Sequence, residues 1–143
     1  MNVTMRPFNF ELDWVWINEA LPIQQVEDTS GMVALSDNKP VGAMVMDNWT
    51  KNSVQAHFYL KNSIVLRSGF LEYCFDYVFN ECGKKVMYAL IPGNNEKAIK
   101  VNEHMGATEK CRFEEAFEDG VDYVIMELKR ENCKYLVPRE EAA

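Results

Sequence analysis

The spacing of apolar and polar positions predicts alternating short strands and helices along the chain. Val3 to Phe8 fits a first strand. Asn9 to Leu21 fits an amphipathic helix, because apolar residues recur there at helical spacing. The members of this predicted apolar stripe are Phe8, Leu12, Val15, Trp16 and Ala20.

Three short apolar runs then predict antiparallel strands. Gly31–Leu35 and Val41–Asp47 flank the turn residues 37–40, which predicts a hairpin, and Ser53–Lys61 fits a third strand. Side chains alternate between the two faces of a strand. One face of the third strand would therefore carry Val54, Ala56, Phe58 and Leu60, and the other would carry Gln55, His57 and Tyr59.

The longest apolar stripe lies in the middle of the chain and predicts a helix over 68–82. Gly83 is a typical helix stop, and the apolar run 85–91 is typical of a central strand covered on both faces. The stripe residues are Phe70, Leu71, Cys74, Phe75, Val78, Phe79 and Cys82.

The last third of the chain predicts one more helix and a hairpin. The helix would cover Asn94–Met105 and end at Gly106, and strands 108–117 and 121–128 would flank an Asp-Gly turn. The whole order predicts one α/β (α+β) domain over 1–143 with a loose tail at 139–143. Its mixed, mostly antiparallel sheet would have about six to seven strands with three to four helices, and one crossover would make strands 53–61 and 85–91 parallel.

Composition and charge narrow the class of protein. The net charge is −7 and the isoelectric point is about 4.9, so general binding to nucleic acid is disfavoured. No apolar run approaches the length of a membrane span, and the N-terminus lacks the pattern of a secretory signal. The four cysteines form no CxxC pair. We therefore expect buried free thiols in a cytoplasmic protein, with no metal site.

The stretch GNNEKAIKVNEHMGA at 93–107 carries a family resemblance. Asn, Ala, an apolar-polar pair and a Gly-Ala follow one another at the offsets of a pattern shared by the GNAT N-acetyltransferase superfamily. The matching residues are Asn95, Ala98, Val101, Asn102, Gly106 and Ala107. The segment 67–107 looks especially like acetyltransferase-like proteins encoded by tailed phages, and the order of the predicted elements resembles this fold over nearly the whole chain.

The resemblance implies acetyl-CoA, or another acyl-CoA, bound between strands 53–61 and 85–91. It implies a phosphate-binding helix start, where unpaired amides and the helix dipole favour an anion. The family's usual glycine pattern is missing there, so the alternative is an ordinary capped helix with a solvent-facing arginine. The cofactor-binding residues implied are Leu60, Arg67, Ser68, Gly69, Phe70 and Asn95, with Asn94 or Asn95 able to cap the following helix.

Acetyl transfer to an amine needs a base for the ammonium proton and a proton source for the thiolate. His57 is the candidate base and shares its strand face with Tyr59, although a structural histidine would look the same in sequence. Asn102 stands where the resemblance implies a tyrosine acid, and an amide cannot replace a phenol in that role. Tyr59, Tyr73, Tyr88 or water would have to substitute.

The acceptor amine is not identified by the sequence. Five carboxylates crowd the last hairpin, where they would attract an amine or simply be solvated: Glu114, Glu115, Glu118, Asp119 and Asp122. Trp14, Trp16 and Trp49 could line an acceptor pocket or pack in the core. The resemblance makes a homodimer plausible. A catalytically degenerate binding or structural protein, in phage virion assembly or in modulation of a host factor, is the alternative to an enzyme.

Overall fold

The structure of the protein, a computed structural model, describes residues 2–21 and 23–137. These residues form a seven-stranded sheet with four α-helices. The predicted tail at 139–143 lies outside the described residues. The strands are β1 (Val3–Pro7), β2 (Ser30–Ser36), β3 (Lys39–Asp47), β4 (Ser53–Leu60), β5 (Val86–Pro92), β6 (Thr108–Glu118) and β7 (Val121–Lys129). The α-helices are α1 (Phe10–Ala20), α2 (Ser63–Arg67), α3 (Phe70–Phe75) and α4 (Glu96–Met105).

The sheet has the strand order β1-β2-β3-β4-β5-β7-β6. Every neighbouring pair is antiparallel except β4 and β5, which are parallel and joined through α2 and α3. The predicted mixed sheet with one parallel crossover is therefore confirmed. β6 forms one edge of the sheet, and all of its residues are exposed.

The parallel pairing between β4 and β5 is short. It covers only three residue pairs, from Ser53 with Val86 to Gln55 with Tyr88. Beyond that point β4 stays paired with β3 as far as Leu60, and β5 stays paired with β7 as far as Pro92. The two strands therefore diverge, and a gap opens between their carboxyl-terminal halves.

The larger hydrophobic core covers the sheet face under α3 and α4. Six residues of the predicted central stripe are fully buried there, which confirms that stripe: Phe70, Leu71, Cys74, Phe75, Val78 and Phe79. A smaller core on the opposite face joins Ile17 of α1 to Val33, Ala43 and Val45 of the sheet. The two cores hold helices on both faces of the sheet.

The prediction of one continuous helix over 68–82 is wrong, because the structure has three shorter helical segments in this region. The helical region begins earlier, at Ser63, where the Asn62 side chain accepts a hydrogen bond from the Ile64 amide at 3.0 Å. Gly69 then adopts a left-handed conformation with φ 90°, which separates α2 from α3. After α3 the chain widens into a π-helical segment, Asp76–Glu81, which ends before Gly83 as predicted.

The apolar stripe predicted for α1 is wrong in part, although the helix itself is confirmed. Phe8 and Trp16 of the stripe pack against the smaller core, but other members are exposed. Leu12 is 67% exposed and Val15 is 71% exposed, whereas Asp13 is only 1% exposed and Ile17 is fully buried. The helix is rotated so that a carboxylate faces the protein. The reason is that this carboxylate finds a complete set of hydrogen-bond donors, which an apolar-spacing argument does not consider.

Asp13 anchors α1 to β1. Its oxygens accept hydrogen bonds from both terminal nitrogens of Arg6 at 2.6 and 2.8 Å, from the Asn9 amide at 2.8 Å and from the Trp16 indole at 3.1 Å. Burial acts to raise the pKa of this carboxyl, but the hydrogen bonds from Arg6, Asn9 and Trp16 outweigh it and hold the pKa below its ordinary value. Asp13 is therefore charged and fully partnered at neutral pH.

The four cysteines are free thiols. Cys74 and Cys133 are buried as expected, but Cys82 is half-buried and Cys111 is exposed on the edge strand β6, so the expectation of buried thiols holds for only two of them. No helix within residues 2–21 and 23–137 is long and apolar enough to cross a membrane.

The Asp13 network predicts a stability change that depends on pH. Asp13→Asn should lower the free energy of unfolding by about 3 kcal/mol at pH 7, because it breaks a buried ion pair. Because the folded-state pKa of Asp13 is depressed, its stabilisation is complete above the unfolded pKa of about 3.9 and is lost as pH falls through the folded pKa. The difference between wild type and variant should therefore shrink in acid.

Urea unfolding at pH 7 and at successively lower pH measures this difference. Glu19→Gln, which neutralises an exposed carboxylate of the same helix, is the matched control and should change stability by less than about 0.5 kcal/mol. Equal stability of Asp13→Asn and wild type at pH 7 would show that the network contributes nothing.

Candidate functional site

A cavity of about 700 Å³ occupies the gap between β4 and β5. Residues 55–61 and 89–91 form its two strand walls. The rest of the wall comes from three groups. They are the end of α1 with the segment that follows it (Ala20, Leu21, Ile23, Gln24, Val26), the start and inner face of α4 (Asn95, Lys97, Ala98, Val101, Asn102), and Asp47 with Tyr123.

The cavity passes through the sheet from one face to the other. His57 and Tyr59 lie opposite Val45 and Ala43 of β3, on the face that α1 covers. Ala98 and Val101 of α4 pack with the larger core on the opposite face. We call the two openings the α1 mouth and the α4 mouth. The α1 mouth is lined by Leu21, Ile23, Gln24, Val26, Asp47, Gln55, His57, Tyr59 and Tyr123, and the α4 mouth by Asn95, Lys97, Ala98, Val101 and Asn102.

β5 is therefore not covered on both faces as predicted. Met87, Ala89 and Ile91 are buried, but Val86, Tyr88 and Leu90 are only half-buried. Leu90 lines the cavity on the α1 side. The continuous apolar run reflects one packed face and one face that borders an open cleft.

His57 and Asp47 form a hydrogen-bonded pair at the α1 mouth. The His57 Nε2 atom lies 3.1 Å from Asp47 Oδ2, and both side chains are mostly buried. Asp47 Oδ1 is buried and has no hydrogen-bond partner among the described residues. Because a carboxylate accepts but does not donate, the Nε2 atom carries the proton, and in the neutral ring Nδ1 keeps its lone pair. The predicted base therefore has a partner that fixes its tautomer.

Sequence reasoning missed Asp47. The residue ends β3, and the β3–β4 register places it directly opposite Gln55, two residues before His57. The signal in the sequence was the hairpin itself, because antiparallel pairing brings the end of one strand next to the start of the following one. The register needed to align these two residues was not predicted.

Tyr59 and Tyr123 line the cavity, whereas Tyr73 and Tyr88, the other two tyrosines considered as proton donors, do not. Tyr59 packs against Trp16 with ring centroids 6.2 Å apart, and Tyr123 of β7, which was not predicted, packs against Phe117 at 5.5 Å. The Tyr88 hydroxyl instead accepts a hydrogen bond from the Asn48 side-chain amide, outside the cavity lining. Burial raises the pKa of Tyr73, which lies against the larger core. Tyr59 and Tyr123 are thus the phenols that line the same cavity as the His57–Asp47 pair.

The two asparagines of α4 are held by their own helix. The Asn95 side chain accepts a hydrogen bond from the Ala98 amide at 3.2 Å, so Asn95 is the cap of α4, and α4 begins after it. The Asn102 side chain donates to the Ala98 carbonyl at 2.9 Å. Both residues also line the α4 mouth. Of the two asparagines that could cap the helix, Asn95 is therefore the one that does so.

The predicted phosphate-binding residues do not line the main cavity. Arg67 and Ser68 border a second cavity of about 440 Å³, together with Ile64 and residues 2–4. The Ser68 hydroxyl donates to the Val65 carbonyl at 2.6 Å and accepts from the Phe70 amide at 3.3 Å. The Phe70 side chain is fully buried. Of the predicted cofactor-binding residues, Leu60 and Asn95 border the main cavity, and Arg67, Ser68, Gly69 and Phe70 do not.

The other acceptor-site candidates also lie apart from the cavity. Within the described part of the chain, neither the three tryptophans nor the five hairpin carboxylates line it. Trp16 lies behind the cavity wall, where it packs against Tyr59 and donates a hydrogen bond to Asp13. Asp122 accepts from the Glu115 amide at 3.1 Å and lies 3.4 Å from Arg112, so it holds the hairpin together.

Comparison with solved structures identifies the fold. Spermidine/spermine N-acetyltransferase SpeG from Vibrio cholerae superposes with a TM-score of 0.73 over 90% of this chain and 92% of that chain, at 13% identity. The chain has the GNAT N-acetyltransferase fold. No protein-family model matches the sequence, and no curated protein matches it.

Two further GNAT-fold structures contain acetyl-CoA. The candidate acetyltransferase yncA from Salmonella typhimurium, with its cofactor acetyl-CoA, gives a TM-score of 0.68 over 90% of this chain and 94% of that chain, at 16% identity. The N-acetyltransferase PseH from Campylobacter jejuni, in complex with acetyl coenzyme A, gives 0.62 over 90% and 99%, at 16% identity.

The α4 cap predicts a difference between the two adjacent asparagines. Asn95→Ala should lower the free energy of unfolding by about 1 kcal/mol, because the Ala98 amide loses its acceptor. Asn94→Ala is the matched control and should change it by less than about 0.5 kcal/mol. Urea unfolding measures the stability of both variants. A larger loss of stability for Asn94→Ala than for Asn95→Ala would contradict the assignment of the cap to Asn95.

Proposed function

We propose that this protein is an acetyl-CoA-dependent N-acetyltransferase that acetylates a primary amine by direct attack. One observation carries the proposal. A cavity runs through the sheet where β4 and β5 diverge, and the His57–Asp47 pair borders one of its mouths. Such a cavity lets a donor and an acceptor enter from opposite faces and meet beside a base.

The cleft fits the pantetheine arm of an acyl-CoA. After Gln55 and Tyr88 the facing edges of β4 and β5 are not paired with each other, so backbone groups there are open to a ligand. Pantetheine carries amide groups that can take up such bonds, as an added strand would. Leu60, Ala89 and Ile91 supply apolar contacts for its methylene groups.

Two lysines and one asparagine would hold the polar parts of the donor. Lys61 and Lys97 line the cavity and can neutralise phosphate groups as point charges. Asn95 stands at the N-terminus of α4, and its amide nitrogen can donate to the arm while its oxygen caps the helix. The predicted role of Arg67, Ser68, Gly69 and Phe70 in cofactor binding stays a prediction, since these residues lie outside the main cavity.

Bound acetyl-CoA supplies the thioester whose carbonyl carbon the amine nitrogen attacks, so that an amide bond forms and the carbon–sulfur bond breaks. His57 Nδ1 accepts the proton that the ammonium must lose before its nitrogen can react. Asp47 holds the His57 ring through Nε2 and balances the positive charge that the ring acquires. Asp47 is thus a positioning residue, and His57 is the base.

The proton for the departing thiolate comes from Tyr59, Tyr123 or water. Both phenols line the α1 mouth, and a phenol can donate as well as accept. Asn102 fills the place of the usual tyrosine, but its amide is bonded to the Ala98 carbonyl, so it serves the helix and not proton transfer. A thiol with a pKa of about 8.5 makes only a modest demand on this donor.

The named activities of the structural neighbours agree with the proposal. SpeG acts on spermidine and spermine, and yncA and PseH are seen with acetyl-CoA. At 13% to 16% identity these likenesses establish the fold only, so the donor and the acceptor of this chain are part of the proposal. The cytoplasmic location and the phage origin, which were predicted from the sequence, also stay predictions.

A binding protein without turnover is the second candidate function. Asn102 in place of a phenol and the absence of Arg67 and Ser68 from the main cavity favour it. In that case the exposed edge strand β6, which carries Phe113 and Phe117 on its surface, would serve a protein contact. The same edge supports the predicted homodimer, because an unpaired strand can add to a second copy.

Substitution of the base tests the catalytic proposal. His57→Ala should lower kcat by about a hundredfold or more at pH 7.5, because a positioned base contributes roughly that much. The lost rate should return as the pH rises, since a larger fraction of the amine is then deprotonated without help. Asp47→Asn should give a smaller loss than His57→Ala, because the base remains and only the carboxylate that orients its ring is removed. Release of free CoA thiol measures the rate with heptylamine and with spermidine as acceptors.

His104→Ala is the matched control, because His104 lies at the end of α4 outside the cavity lining and contacts Tyr135. It should retain wild-type turnover. Undiminished turnover by His57→Ala would remove His57 from the mechanism. Absence of turnover in the wild type with both amines, together with retained acetyl-CoA binding, would favour the second candidate function.

A further inference from the structure

We infer that the acceptor is a primary amine with a single positive charge on an apolar or aromatic body, and not a diamine or polyamine. The inference rests on the proposed function and deepens it. It depends on what lines the α1 mouth, where the His57–Asp47 pair would receive the amine. The residues of that wall contact the part of the acceptor that does not react, and their chemistry determines which group binds well there.

Five of the nine residues that line the α1 mouth are apolar or aromatic. Leu21, Ile23 and Val26 come from the segment after α1, and Tyr59 and Tyr123 come from the sheet. Val26 is 47% exposed, so an apolar group is presented at the rim of the cavity where a ligand can cover it. Covering apolar surface of this kind favours binding in proportion to the area removed from water.

The segment after α1 is held in place by the helix and by its own turn. The Leu21 amide donates to the Ile17 carbonyl at 2.8 Å, and Ile17 is fully buried. The Val26 amide donates to the Thr29 hydroxyl at 2.9 Å. These hydrogen bonds tie Leu21 to α1 and Val26 to the turn that follows it, which lowers the ordering that these two side chains need when a ligand binds.

The α1 mouth offers one negative charge. Asp47 is the only carboxylate among the described residues that line the cavity, and one of its oxygens already accepts from His57. The other polar side chains at this mouth are the His57 imidazole, the amides of Gln24 and Gln55 and the hydroxyls of the tyrosines, none of which is a carboxylate, and Lys61 of the cavity lining is a cation. Glu19 and Glu27 are exposed residues outside the lining.

The single carboxylate can pair with one ammonium group of the acceptor. A second ammonium group on the same acceptor would have no carboxylate partner. The reacting ammonium lies beside the His57–Asp47 pair and gives one proton to His57 Nδ1 before its nitrogen attacks. The nitrogen releases a second proton once the carbon–nitrogen bond has formed, which balances the proton that the departing thiolate takes up, and it becomes the amide nitrogen. A distal ammonium along the apolar wall would lose water without gaining a carboxylate, which is costly for a charged group. A distal methyl group in the same place would gain from burial.

Heptylamine and 1,6-diaminohexane test this directly, because they differ only in a terminal methyl group or ammonium. Calorimetry measures the binding of each amine to the full-length protein saturated with CoA, and thiol release from acetyl-CoA measures kcat/KM. We expect heptylamine to exceed the diamine by at least about tenfold in both measurements, the ratio that a difference of 1.4 kcal/mol gives.

A charge placed in the wall should reverse this preference. Val26→Glu puts a carboxylate at the rim and should lower the heptylamine-to-diamine ratio by at least about tenfold. Val15→Glu is the matched control, since Val15 is 71% exposed on α1 and does not line the cavity. Val15→Glu should leave the heptylamine-to-diamine ratio within about twofold of the wild-type value.

The outcomes separate this inference from the proposed function. Equal or better binding and turnover of the diamine would overturn the inference and leave acetyl transfer standing. Tighter binding of heptylamine without turnover of either amine would support the inference and contradict acetyl transfer. Binding of neither amine at millimolar concentration in the presence of CoA would overturn the inference.

Discussion

β4 and β5 remain paired for only three residue pairs, and the rest of the molecule is arranged around the gap that follows. β3 and β7 keep the outer edges of the two strands paired, so the divergence does not unravel the sheet. The helices on both faces then border an opening that neither core fills. A sheet that parts in this way gives a through-going cavity with backbone groups along its edges, which suits a long ligand with amide groups.

The α1 side of the cavity depends on a buried charge. Asp13 fixes the rotation of α1, and its partner Trp16 packs against Tyr59, which lines the α1 mouth. Apolar spacing predicted the helix and its ends but placed its exposed face inward, because spacing cannot foresee that Arg6 will satisfy a carboxylate. The three-part division of the central helix escaped prediction for a similar reason. The left-handed Gly69 and the widened turn after Phe75 interrupt an apolar stripe that is itself continuous.

Part of the candidate site could be predicted from the alternation of side chains along β4 and from the family pattern in α4. His57 and Tyr59 follow from period-two alternation in β4, and Asn95 and Asn102 follow from the family pattern. Asp47 and Tyr123 required the pairing of β4 with β3 and of β5 with β7, which depends on register and strand order. Arg67 and Ser68 were expected at the site from the family resemblance, but at the end of the short helix α2 they border a separate cavity beside β1.

Hydrogen exchange with and without acetyl-CoA tests the central claim, that the gap between β4 and β5 is the donor site. The account predicts slower amide exchange in peptides that cover 56–61 and 89–98 when acetyl-CoA is present, with no change in 108–118 on the edge strand. No change in 56–61 and 89–98 at millimolar acetyl-CoA, or protection confined to 63–68 beside the second cavity, would contradict it.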